Sequence, residues 1–115
     1  MYLAGFAAAI ALVAAAPTLA CAQVNNDGVW AVNINTLKGD CDSSMQSNIR
    51  VRDGRIEENY LVARISGAID DFGKVNLSVV RGADDIVARG RVNGEHASGQ
   101  WASRHCIGSW TATRT

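Results

Sequence analysis

SGQWASRHCIGSWTATRT, residues 98–115, closes the chain. Two tryptophans, Trp101 and Trp110, flank Cys106, and small or polar residues fill the space between. Large and small side chains alternate on either side of Arg104-His105. Because successive side chains of a strand point to opposite faces, this alternation reads as two strands, SGQWAS and GSWTATR. The stretch is then the last hairpin of an antiparallel sheet, with a cysteine at its turn.

Working upstream, the same period recurs. VWAVNINT places Trp30, Val32 and Ile34 on one face, and Ala31, Asn33 and Asn35 on the other. NIRVRDGRI turns Ile49 and Val51 inward and Asn48, Arg50 and Arg52 outward. It then meets Asp53-Gly54, a pair suited to the type I′ hairpin turn, which needs positive φ at both central positions. KVNLSVV aligns Val75, Leu77 and Val79, and DIVARGRV aligns Ile86, Ala88, Gly90 and Val92. Asn93-Gly94 offers turn chemistry of the same kind, and DDFG (70–73) and RGADD (81–85) are also turn-like. EENYLVARISGAI (57–69) is the exception. Glu57-Glu58 and Leu61-Val62 break the alternation, which implies a bulge or loop near Asn59 and a strand from about Leu61 to Ile69. A helix over 56–65 is the alternative.

Seven or eight short strands joined mostly by tight turns imply an all-β, antiparallel up-and-down meander. An open meander leaves two strand edges exposed, so closure into a small barrel is expected. Gly67, Gly90 and Gly99 fall inside strands, where they allow sharp bending or make room for a large neighbour. Trp30, Trp101 and Trp110 are expected to supply much of the core, since each ring removes a large apolar area from water.

The first 22 residues differ from the rest. MYLAGFAAAIALVAAAPTLACA contains no charged side chain. Its apolar run, Leu3 to Ala16, is short for a membrane span. Pro17 and then Ala20-Cys21-Ala22 follow, the small-x-small pattern of a signal-peptidase site. Residues 1–22 therefore read as a secretory signal helix cleaved before Gln23, leaving 23–115 as a single domain with no stable membrane span. TLAC resembles a lipobox, so acylation of Cys21 is the alternative fate, with Thr18 standing where a large aliphatic residue is usual.

Loss of Cys21 leaves Cys41 and Cys106, an even number in an oxidising compartment, and they are expected to pair. Such a bridge closes most of the mature chain into a loop, worth at most about 4 kcal/mol by loop-closure entropy. A domain this small often needs such a staple. Eleven basic and eleven acidic residues balance, which argues against a broad electrostatic footprint for nucleic acid.

DGVWAVNINTLKGDCD, VRDGRI and SGQWAS followed by CIGSWTATR together resemble small secreted all-β proteins of rhizobia and related alphaproteobacteria. The resemblance spans nearly all of 23–115. Its most specific parts are KGDCD, Lys38 to Asp42, and C-x-G-x-W, Cys106 to Trp110. It implies architecture and compartment but no catalytic residues. Some members carry transferred labels mentioning haem utilisation or adhesion by exoproteins. Where such relatives often carry aromatics after the first cysteine, this chain has Met45-Gln46-Ser47.

Several groups of side chains are of types that can carry chemistry. Glu57-Glu58, Asp70-Asp71 and Asp84-Asp85 are acidic pairs, but strand neighbours point apart, and the two Asp pairs lie in turn-like segments. No loop matches the spaced carboxylates of a calcium site. His96 and His105 lack a second ligand at diagnostic spacing, so no metal or cofactor is implied. Ser98, Ser103 and Ser109 lack a nucleophile elbow. The arginines carry a sharper idea. Arg50 and Arg52 share an outward face, Arg55 lies past the hairpin, and Arg89 and Arg91 share another face. If those faces adjoin, they form an anion-binding patch for phosphate, carboxylate or anionic glycan. The expected function is a secreted or periplasmic, non-enzymatic binding module acting on a protein, an envelope polymer or a small ligand. The alternatives are an inhibitor of a secreted hydrolase, or a barrel holding haem or another hydrophobic ligand between its tryptophans.

Overall fold

The computed structural model describes residues 25–115; the expected signal segment, residues 1–22, and with it Cys21, lies outside the described residues. The described chain is all-β. Eight antiparallel strands follow in order: β1 (Gly28–Lys38), β2 (Ser44–Arg52), β3 (Arg55–Asn59), β4 (Arg64–Ile69), β5 (Lys74–Arg81), β6 (Asp84–Asn93), β7 (His96–Ala102) and β8 (Ile107–Arg114). Each pairs with the next, and β8 pairs back with β1, closing a barrel.

The alternating pattern sets the inside. Trp30, Val32, Ile49, Val51, Ile56, Ile65, Val75, Ala88, Ala97, Trp101, Trp110 and Ala112 form one buried cluster. An eight-stranded barrel has an interior just wide enough for side chains to fill, and here the three indoles fill it. Trp110 sits on β8 beside Gly99 of β7, which in turn opposes Gly90 of β6. A Cβ on Gly90 would lie 2.4 Å from the Trp110 ring. Bare backbone on two successive strands thus makes the space the indole occupies, and its N–H reaches the Arg89 carbonyl at 3.3 Å.

Closure between β1 and β8 is tied at both ends. At one end Cys41 and Cys106 form a disulfide spanning 65 residues, with Cα atoms 6.3 Å apart. Cys106 is buried and Cys41 is exposed. Such a bond belongs to an oxidising, extracytoplasmic environment. At the other end Arg114 bonds the carbonyls of Asn25 and Asp27, pairs with Glu95 at 3.0 Å and lies over the Trp30 ring at 5.2 Å. The Asp27 carboxylate accepts the N–H groups of Asp53 and Gly54. Hydrogen bonds to its charged form hold its pKa below the ordinary carboxylate value, those of Asp53 and Gly54 leading.

Three local expectations are refined. Asp53 and Gly54 both have positive φ, 53° and 74°, as the β2–β3 turn requires. Asn93, by contrast, pairs with His96 as a ladder residue. The turn there is Gly94-Glu95, with positive φ at Gly94 alone, the II′ pattern. Asp84 and Asp85 begin β6 rather than lying in the preceding turn, because Arg81 already pairs with Asp84 across Gly82-Ala83. The strand expected from Leu61 begins at Arg64. Tyr60 donates to the Ala63 carbonyl at 2.8 Å, closing a turn over 60–63, and no helix forms over 56–65.

Candidate functional site: the disulfide-tied end and its open seam

An eight-stranded meander sorts its connections onto two ends. One end carries the turns at 53–54, 70–73 and 94–95, together with both ends of the described chain. The other carries 39–43, 60–63, 82–83 and 103–106, hence the disulfide. Exposed apolar side chains are not shared evenly. Phe72 lies at the first end. Leu37, Met45, Val80, Val87 and Ile107 lie toward the second, with Tyr60, Leu61 and Val62 in its turn. Leu61 is fully exposed and Leu37 and Val62 are each 70% exposed. On the outer wall Val87 opposes Ala102, which opposes Ile107, giving an apolar row across β6, β7 and β8.

The same end contains the one weak join among the neighbouring strands described. β2 pairs with β3 only through Val51–Ile56 and Arg52–Arg55, whereas β3 pairs with β4 as far as Asn59–Arg64. In register the next bond on β2 would run from the Arg50 N–H to the Glu57 carbonyl. Instead the Arg50 N–H donates to the Glu58 carboxylate at 3.0 Å. Glu58 occupies the inward phase of β3, where it opposes Ile65. Its carboxylate stands between the two strands, and the ladder does not resume. Tyr60 donates its hydroxyl to the other Glu58 oxygen. That bond to a carboxylate raises the Tyr60 pKa above the ordinary phenol value.

Two shallow depressions open at this end. One is bounded by Asn59, Tyr60, Val62, Ala63, Arg64 and Val80. The other lies beside the disulfide, against Lys38, Arg104, His105 and Ile107. There Ser103 Oγ accepts the Cys106 N–H at 3.1 Å, fixing the turn, so this serine has a structural partner.

The arginines separate into two groups. Arg52 and Arg55 are directly opposed across β2 and β3, with Arg50 two residues away. Arg89 and Arg91 lie on β6, with Lys74 opposite Arg91. β4 and β5 stand between the groups, so the structure does not bring the five together as one patch. The reason is topological: in an all-next-neighbour meander, β2 and β6 lie on different sides of the wall.

His96 lies at the end bearing the chain termini, and His105 at the disulfide-tied end. Ser98 and Ser109 are outward ladder residues, the former opposite Thr111 and the latter opposite Asn35 and Gln100. Among the described residues no group of three or more histidine, cysteine or acidic side chains is arranged to hold a metal ion. The apolar rim and the role of Glu58 are absent from the sequence reading. The available signal was the broken alternation at Glu57-Glu58 and Leu61-Val62, which marks both. Searches against protein-family models, curated proteins and solved structures find no match to the chain.

Proposed function

We propose that the mature chain is a secreted or periplasmic, non-enzymatic binding module that recognises a protein partner through the disulfide-tied end of its barrel. One observation carries this reading: of the nine exposed large apolar side chains described, eight gather at that end, and Phe72 lies at the other. Single exposed apolar residues are ordinary, whereas a gathered set marks an interaction surface. The interior is already occupied by Trp30, Trp101 and Trp110, which favours recognition by the surface over a barrel holding haem or another hydrophobic ligand. The disulfide supports the extracytoplasmic setting.

The test compares the exported protein with a Leu61→Asp, Ile107→Asp variant as bait for periplasmic extract. Both sites are exposed, so folding is retained, which a melting curve checks. Partners recovered by the parent and lost by the variant support the reading; identical recovery ends it.

A second reading, an inhibitor of a secreted hydrolase, is favoured by the turn at 60–63. Its Tyr60–Ala63 hydrogen bond holds a short tip from which Leu61 projects into solvent, and a stiff projecting tip suits a cleft. Slowing of a lysozyme or a secreted protease by the parent, relieved by Leu61→Asp, distinguishes it; unchanged rates eliminate it for the enzymes assayed.

A further inference from the structure

We propose that the seam between β2 and β3 is a strand-acceptor site, into which an extended segment of the partner protein adds beside β2. The inference rests on the reading of the disulfide-tied end as the binding surface, because the seam opens there.

The main chain carries the argument. The Arg50 N–H points across the seam, since it meets a β3 side chain. Backbone groups of a strand point alternately to its two neighbours. The N–H and C=O of Asn48 and Gln46 therefore face the seam, while those of Ile49 and Ser47 face β1, where they oppose Trp30 and Val32. On the seam side the β2–β3 ladder ends at Val51–Ile56. A row of main-chain donors and acceptors at strand spacing is matched in register only by another strand. The Glu58 carboxylate acts as a place-holder: it occupies the acceptor position that the first carbonyl of an incoming strand takes over.

The side chains define the occupant. Toward the barrel interior the seam is lined by Met45, Ser47 and Ile49 of β2 and by Ile56 of β3, apolar but for the small Ser47. The mouth is flanked by Tyr60, whose hydroxyl bonds the Glu58 carboxylate. An incoming strand thus presents apolar residues on its inner face. Outward, the β2 side of the seam presents Gln46, Asn48 and Arg50, and the β3 side Glu57 and Asn59. The outer face of the incoming strand is therefore polar. The partner segment is extended and alternates apolar and polar residues.

The test uses the full exported chain with its disulfide formed. In the free protein the amides of Gln46 and Asn48 exchange quickly with solvent, while those of Ser47 and Ile49 are protected. Slow exchange at Gln46 and Asn48 in the free protein means a closed seam and overturns the proposal. A displayed library of short random peptides is then selected on the protein. Expected winners alternate polar and apolar residues, and near-saturating peptide slows exchange at Gln46 and Asn48 by roughly tenfold. N-methylation of the peptide at one parity abolishes binding, and at the other parity leaves it. An empty selection overturns the proposal, as do winners that leave Gln46 and Asn48 exchanging freely, or a protein whose own dimer protects those amides. Partner capture that the Leu61→Asp, Ile107→Asp variant loses, together with an empty selection, ends the seam proposal alone, whereas capture unchanged by that variant ends the reading of the surface, so the two failures are distinguishable.

Discussion

The indole N–H of Trp101, on β7, donates to the main-chain carbonyl of Asn35, on β1, at 3.1 Å. The ring reaches two strands away because the residue between them on the inner face of β8 is Gly108. A Cβ there would lie 2.5 Å from the indole nitrogen and 2.0 Å from the Asn35 carbonyl. One glycine therefore lets a single tryptophan bolt the last three strands of the closure together.

Gly108→Ala is expected to cost about 3 kcal/mol, because overpacking displaces both the ring and the β1 backbone. Trp101→Phe keeps much of the apolar area but leaves the Asn35 carbonyl without its donor, at a cost of about 1 to 3 kcal/mol. Urea unfolding followed by circular dichroism measures both. Equal stability of Gly108→Ala and the parent would contradict the packing described.

Replacing both Cys41 and Cys106 by serine is expected to destabilise the domain by up to about 4 kcal/mol, the loop-closure value for a 65-residue span. Since net stability of a small domain is of order 5 kcal/mol, the variant unfolds at markedly lower urea. Mass spectrometry of the exported parent should show the two sulfurs joined; free thiols in a folded molecule would refute this.

Asp27 makes stability depend on acid. Its folded pKa lies below the ordinary value of 3.8, so the unfolded chain takes up its proton first. The contribution is complete above the unfolded value and is lost as pH falls through the lowered folded value. Asp27→Asn should therefore melt below the parent at neutral pH and converge with it as pH falls below the ordinary value of 3.8. A gap that stays constant over that window would show that the charge contributes nothing.

Tyr60 is the one tyrosine of residues 23–115, so in a protein of that span phenolate absorbance reports it alone. Its titration should lie above the ordinary value of about 10, because the neutral hydroxyl donates to Glu58. Glu58→Gln should move the titration back down. No movement would mean that the Glu58–Tyr60 contact at the seam is not made in solution.

The strand pattern is local information, and it was legible wherever one face is buried. The alternation around Val75, Ile86 and Trp101 gives strand and face at once, because a one-residue slip would turn every apolar side chain to water. The Asp53-Gly54 turn was legible for a similar reason, since positive φ selects residue type. At Asn93-Gly94 the residue types pointed to those two as the central positions, but pairing of Asn93 with His96 moves the turn to Gly94-Glu95. The arginines show where local reading stops. Each was assigned its face, but whether β2 and β6 adjoin depends on strand order.

Sequence by itself determined a count of seven or eight strands, the inward tryptophans and the pairing of two cysteines, because alternation, turn chemistry and cysteine parity are properties of near neighbours or of composition. Tertiary structure alone decided three things: that the apolar residues breaking the pattern gather at one end, that the Arg50/Arg52/Arg55 and Arg89/Arg91 groups stand apart, and that Glu58 halts the β2–β3 ladder. Those depend on which strand ends come together when the meander closes. Closure is set by the sum of many weak pairings around the wall rather than by any segment of the chain.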